Sequence, residues 1–106
     1  MSTREDIKLY PVYFYDEELQ EVYEIDTQGY WNKFERDIHH YIRTQAIRNN
    51  PEKYTKEFLK DNQRLYLLPK NMHAELHAKH SKFYEKYGIN IKDLLYDYEG
   101  KLENDI

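Results

Sequence analysis

Residues 61–77 read DNQRLYLLPKNMHAELH, and this stretch decides the fold. The apolar run from Leu65 to Leu68 predicts a short strand, and Pro69 ends it. Asn71 is a suitable N-cap for a helix that continues through His80 over residues of good helix propensity. A strand followed at once by a helix is therefore the unit around which the other elements are arranged.

Further elements on both sides of this unit predict an α+β fold. Aromatic and branched residues favour strands upstream, and cap residues with good helix formers favour helices in the rest of the chain. Strands are expected at 7–15, at 21–25 and within 31–42, where the third ends near a histidine pair. Helices are expected at 51–60, 81–88 and 91–99, and turns at 16–20 and 27–29. Pro11 predicts that the first strand is an edge strand or carries a bulge.

Length and composition restrict what this fold can hold. A chain of 106 residues forms a single domain, 1–106, with a modest core. Because there is no cysteine, disulfides, thiolate zinc sites and cysteine nucleophiles are excluded, and any metal must be held by His, Asp, Glu or Asn. No apolar run is typical of a signal peptide or a membrane span. We therefore expect a cytoplasmic protein without membrane contact, or one that is delivered as part of a larger polypeptide.

All five histidines lie between positions 39 and 80, as an adjacent pair and a later group of three. On a helix, His73, His77 and His80 share one face, and two imidazoles one turn apart can bind a transition metal. Neighbours on a strand point in opposite directions, so one of His39 and His40 can complete the site while the other accepts a proton. Three imidazoles with open coordination positions are typical of a catalytic metal site. For His80, surface placement or phosphate contact is as good an explanation as ligation.

Charge is segregated along the chain. The net charge is -4, yet residues 39–82 carry +5, whereas 1–38 carry -6 and 83–106 carry -3. The basic segment would attract a polyanion despite the overall sign, although chance segregation of surface charge is the plainer explanation. The candidate phosphate contacts, which would otherwise be ordinary solvated cations, are Arg43, Arg48, Arg64 and Lys70.

A zinc protease is one class that carries two histidines on a single helix. Such enzymes need a glutamate directly after the first histidine, as the base for water on the metal. Ala74 occupies this position, and Glu75 lies about 100° further round the helix. The protease interpretation is therefore excluded.

The order of four motifs resembles that of the HNH, or His-Me finger, endonucleases, which include nuclease colicins and related toxin and phage enzymes. An acidic residue stands two positions before the histidine pair in Asp37-Ile38-His39-His40, and Asn62 precedes the predicted strand. Pro69-Lys70 and the helix with His73 and His77 follow in the same order as in the family. The resemblance covers residues 34–80, less than half of the chain.

This resemblance implies a ββα-metal finger core over 34–80, with an N-terminal β-rich segment and additional C-terminal helices. It implies hydrolysis of phosphodiester bonds in nucleic acid, with DNA favoured over RNA because DNA is the family's commonest substrate. An inhibitor or immunity protein would be a further partner if the chain belongs to a toxin. One divalent ion, whether zinc, magnesium, manganese or nickel, would be held by His39, His73 and His77.

The remaining roles also follow from the resemblance. His40 would be the general base that activates water, and Asn62 would orient the loop and this base. Asp37 would anchor the histidine pair through a nearby cation such as Lys33 or Arg36.

Two alternatives stay open on the sequence alone. The chain could be a non-catalytic, metal-stabilised module, such as a phage- or toxin-associated factor, whose acidic N-terminal third suits a protein partner or a DNA mimic. The histidines could also bind nothing, in which case stability would be indifferent to chelator and to added metal.

Overall fold

The computed structural model describes residues 10–26, 36–78 and 80–96. These ranges have an α+β fold built on a four-stranded sheet of order β2-β1-β4-β3, which confirms the predicted fold class. β1 and β2 form an antiparallel hairpin, β4 runs parallel to β1, and β3 is antiparallel to β4. The strands are β1 (Val12–Asp16), β2 (Glu21–Glu24), β3 (Asp37–His40) and β4 (Leu65–Leu68).

The described helices are short. A nine-residue helix that follows β4 directly is the longest of them, and none is long and apolar enough to cross a membrane. They are α1 (Thr44–Asn49), α2 (Lys56–Asn62), α3 (Lys70–Ala78), α4 (Phe83–Tyr87) and a 3-10 turn at Ile91–Asp93.

β4 is buried on both faces, which explains why its sequence is apolar throughout. Tyr66 and Leu68 contribute to the main core, where Met72 and Leu76 of α3 pack together with residues of α4 and of the segment after it. Leu65 and Leu67, two positions apart, point to the opposite face, against Val12 and Phe14 of β1. The strand and helix predicted from residues 61–77 therefore form the centre of the fold.

The prediction of an edge position for the first strand is wrong. β1 has a neighbour on each side, β2 and β4. Pro11 lies just before the strand, where its missing N–H removes no ladder bond, and its carbonyl accepts a hydrogen bond from the Leu65 amide at 3.0 Å. The predicted strand residues 7–9 and 31–35 and the predicted turn at 27–29 lie outside the described residues.

The helix expected at 51–60 begins later than predicted. Residues 51–53 form a turn, closed by the amides of Lys53 and Tyr54, which both donate to the carbonyl of Asn50. Thr55 is the actual N-cap, and its hydroxyl accepts the amide hydrogen of Phe58. α1 is not among the predicted helices, because it has only six residues and its N-cap, Arg43, makes no side-chain capping bond.

The later helices also differ in their bounds. α3 begins at Lys70 because the carbonyl of Pro69 accepts the His73 amide, so Asn71 lies inside the helix and is not its cap. α4 begins at Phe83 and ends, as predicted, at Gly88, whose φ of 73° lies in the left-handed region that glycine tolerates.

The helix expected at 91–99 is wrong over its described part. Only the turn Ile91–Asp93 is helical, of 3-10 type, and the chain then leaves the helical path. The amide of Tyr96 donates instead to the carbonyl of Tyr41, just beyond β3, at 2.9 Å. This long-range bond outweighs the local helix preference, and residues 97–99 lie outside the described ranges.

Candidate metal centre

Three of the five histidines converge where β3 faces α3. His39 pairs with Tyr66 across β3 and β4, and its ring therefore points to the face of the sheet that α3 covers. His73 and His77 lie one turn apart on α3, with ring centroids 4.6 Å apart and 5.1 and 5.4 Å from that of His39. One nitrogen from each ring lies within 4.8 Å of the other two.

Hydrogen bonds assign the tautomers of two of these rings. His39 Nε2 is 2.5 Å from the carbonyl oxygen of Leu94, and His73 Nδ1 is 3.1 Å from Oδ2 of Asp37. A carbonyl and a carboxylate only accept, so each of these two nitrogens carries a proton. His39 Nδ1 and His73 Nε2 both face the space between the rings, and in the form that binds a metal each directs a lone pair into it.

The distances between the facing nitrogens fit a bound cation. His39 Nδ1 lies 3.2 Å from His73 Nε2, which in turn lies 2.9 Å from Nε2 of His77. Two facing lone pairs repel each other unless a positive charge lies between them. In a tetrahedral zinc site with Zn–N bonds of about 2.0–2.1 Å, ligand nitrogens are about 3.3 Å apart. The three imidazoles can therefore hold a metal ion with little rearrangement.

Burial keeps the innermost ring neutral. His39 is only 2% exposed, and its burial lowers the pKa to about 3, with a smaller contribution from the neighbouring histidines. The bond to Leu94 acts in the opposite direction but is outweighed. At neutral pH the ring is thus deprotonated, which is the form that binds a metal. His73 is half-buried and His77 is exposed, so the site opens towards solvent on the α3 side.

An open cavity of about 660 Å³ lies over this site. His40 lines it beside the three converging histidines. His40 pairs with Leu65, which points to the opposite face from Tyr66, so the two adjacent histidines point in opposite directions as predicted. Both still reach the cavity because β3 is the end strand of the described sheet. The further lining residues are Arg36, Asp37, Ile38, Arg43, Thr44 and Gln45.

Comparison with protein-family models, curated proteins and solved structures found no match to this chain. What the site can do chemically is inferred from its geometry and charges alone. A buried neutral imidazole, two further imidazoles on a helix and a fourth on the cavity wall can together bind a divalent cation beside a proton acceptor.

Asp37 has a different partner from the one that the sequence indicated. Arg36 donates to the carbonyl of Tyr15 and to the carboxylate of Glu17, both at 2.8 Å. Lys33, the other expected partner, lies outside the described residues. The carboxylate of Asp37 instead bonds to the ligand candidate His73, so it orients a metal ligand directly.

The loop contact expected of Asn62 is made by the next residue. The side-chain amide of Asn62 donates to the carbonyl of Phe58 within α2, and Asn62 is not among the residues that line the cavity. Gln63 is 2% exposed, and its amide group both accepts from the Ile42 amide at 2.8 Å and donates to the Ile42 carbonyl at 3.0 Å. Gln63 therefore fixes the backbone two residues after His40. Sequence reasoning missed it because the interaction joins residues 21 apart.

The four candidate phosphate contacts are spread over the molecule. Arg43 lines the cavity together with His40, whereas Arg48 on α1 and Lys70 on α3 are exposed and do not line it. The guanidinium of Arg64 lies 5.1 Å from the centre of the Tyr41 ring and lines another cavity.

His80 lies outside the metal group. It is exposed and follows the end of α3, and the amide of Lys82 donates to its Nδ1 at 3.4 Å. Of the described histidines, only His39, His73 and His77 form the converging set.

Proposed function

We propose that this chain is a metal-dependent endonuclease of the HNH type, which hydrolyses phosphodiester bonds of nucleic acid and prefers DNA. One observation carries the proposal: one nitrogen of each of three imidazoles converges on a common point, two of these rings are held by hydrogen bonds at their other nitrogen, and His40 lines the same cavity. β3, β4 and α3 follow one another in the strand, strand and helix order of the finger, with α1 and α2 inserted between the two strands. The preference for DNA comes from the family resemblance.

Each side chain has a defined task in this proposal. His40 accepts the proton of the water molecule that attacks the phosphorus, because histidine can take up a proton near neutral pH. Arg43 contacts the phosphate from the wall of the same cavity. Gln63 holds the backbone between these two residues through Ile42. A divalent ion held by the three converging nitrogens would supply positive charge for the leaving oxygen.

The proposal is tested by cleavage of supercoiled plasmid and of RNA, with zinc, magnesium, manganese or nickel and with EDTA. We expect nicking of the plasmid that EDTA abolishes. His40→Ala should abolish cleavage while the affinity for metal is kept, and His73→Ala should lose both. His80→Ala is the matched control and should keep both, since His80 lies outside the metal group.

Two results would contradict the proposal in different ways. Equal loss of metal from His40→Ala and His73→Ala would show that His40 is a ligand, so that another base is required. Intact metal affinity without cleavage of either nucleic acid, at high protein concentration, would favour the metal-stabilised binding module over the nuclease.

A further inference from the structure

We infer that the segment 90–96, which we call the C-terminal strap, is a structural part of the metal centre. It positions His39 through the carbonyl of Leu94, so that metal binding and docking of the strap stabilise each other. This inference rests on the metal site within the proposed function, but it does not depend on cleavage.

The carbonyl of Leu94 is held in a fixed place. Leu94 is fully buried and Leu95 is 2% exposed, and both side chains belong to the main core. The amides of Leu94 and Leu95 both donate to the carbonyl of Ile91, which closes the turn from which the Leu94 carbonyl projects. The short bond to His39 Nε2 therefore joins the imidazole to a rigid acceptor.

Two further bonds tie the strap to the surroundings of His39. The amide of Tyr96 donates to the carbonyl of Tyr41, two residues after His39, at 2.9 Å. The hydroxyl of Tyr66, which lies opposite His39 on β4, donates to the carbonyl of Asp93 at 3.1 Å. Contacts on both sides of Leu94 thus go to the residue just after β3 and to the position facing His39.

The bond to Leu94 fixes the direction in which His39 presents its metal-binding nitrogen. A bond at Nε2 fixes the rotation of the ring, and the opposite nitrogen, Nδ1, is then directed at His73. A metal at Nδ1 would in turn keep the Nε2–H directed at the Leu94 carbonyl. Coupling of this kind is reciprocal, so whatever releases the strap weakens metal binding by the same factor by which metal tightens the strap.

Zinc affinity of a matched pair of variants tests the coupling. Tyr96→Pro removes the N–H that holds the end of the strap, whereas Tyr96→Ala keeps this N–H and removes only the ring. Since loss of a hydrogen-bond partner behind a ligand histidine costs about tenfold to hundredfold in metal affinity, we expect Tyr96→Pro to bind zinc at least tenfold more weakly than Tyr96→Ala. Val12→Ala, in the core on the opposite face, destabilises the fold and should bind zinc as the unaltered chain does.

Hydrogen exchange of the unaltered chain provides a test that needs no variant to fold. The amides of Leu94, Leu95 and Tyr96 exchange when the strap opens locally, and bound zinc should slow this local exchange at least tenfold. The Leu65 amide, which donates to Pro11 in the sheet, reports global unfolding and serves as the reference. The imidazole ¹⁵N shifts of His39 should show a single Nε2–H tautomer, and a mixture in Tyr96→Pro.

The outcomes separate this inference from the nuclease proposal. Equal zinc affinity of the two Tyr96 variants, or strap amides whose local exchange ignores bound zinc, would refute the strap alone. Zinc binding with a coupled strap but without cleavage would refute the nuclease alone. Failure of the unaltered chain to bind zinc would refute both the metal centre and its coupling to the strap.

Discussion

Acid should destabilise the metal-free protein through His39. Its folded-state pKa of about 3 lies below the value of about 6.5 of an unfolded histidine. Below pH 6.5 the unfolded chain therefore binds a proton that the folded chain excludes, and the free energy of unfolding falls as the pH is lowered. The stabilisation is complete above pH 6.5 and is lost progressively as the pH falls towards 3.

The size of this effect follows from the two pKa values. Each pH unit in this window costs up to about 1.4 kcal/mol, so between pH 7.5 and pH 5 the loss from His39 is about 2 kcal/mol. For a domain of about 100 residues, this corresponds to a decrease in melting temperature of about 8–16 °C.

Thermal unfolding in EDTA, followed by circular dichroism at pH 7.5, 6.5, 5.5 and 5.0, measures the effect. His39→Gln removes the titrating ring, and the difference between its pH dependence and that of the unaltered chain isolates the contribution of His39. His80→Gln is the exposed control and should retain the full dependence. If His39→Gln loses stability with acid as steeply as the unaltered chain, the assignment of His39 as a buried neutral imidazole is refuted.

Three further predictions concern the groups around the ligands. Asp37→Asn should weaken zinc binding about tenfold to hundredfold, because the amide no longer fixes the ligand tautomer; a chelator competition measures this, and unchanged affinity would remove Asp37 from the site. Gln63→Leu leaves the buried amide and carbonyl of Ile42 without their bonds and should cost about 2–5 kcal/mol in urea unfolding, whereas a loss below 1 kcal/mol would show that water replaces the contact. Arg43→Ala should raise KM for plasmid cleavage severalfold more than Arg48→Ala, since only the first residue lines the cavity, and equal effects would contradict its assigned place.

The central elements could be predicted from the sequence because their signals are local. The run Leu65–Leu68 is buried on both faces and is apolar for that reason, and the i, i+4 spacing places His73 and His77 on one face wherever the helix starts. The opposite orientation of His39 and His40 follows from strand alternation alone. These features need no knowledge of the rest of the chain.

The contacts that tune the site could not be predicted in the same way, because they join distant segments. The Leu94 carbonyl lies 55 positions from His39, and its place depends on the bond between Tyr96 and Tyr41 that overrides a predicted helix. Arg36, the described cation among the predicted partners of Asp37, is instead bonded to Glu17, which lies between β1 and β2. Such competition between partners is decided by the fold.

X-ray absorption at the zinc edge, on protein loaded with one equivalent of zinc, tests the central claim most directly. The metal centre predicts three imidazole nitrogens at about 2.0–2.1 Å, with the remaining coordination filled by solvent. In His73→Ala, the number of imidazole ligands should decrease, whereas in His80→Ala it should not. A shell of oxygen ligands alone, or a spectrum that His73→Ala leaves unchanged, would contradict the assignment of His39, His73 and His77 as the metal site.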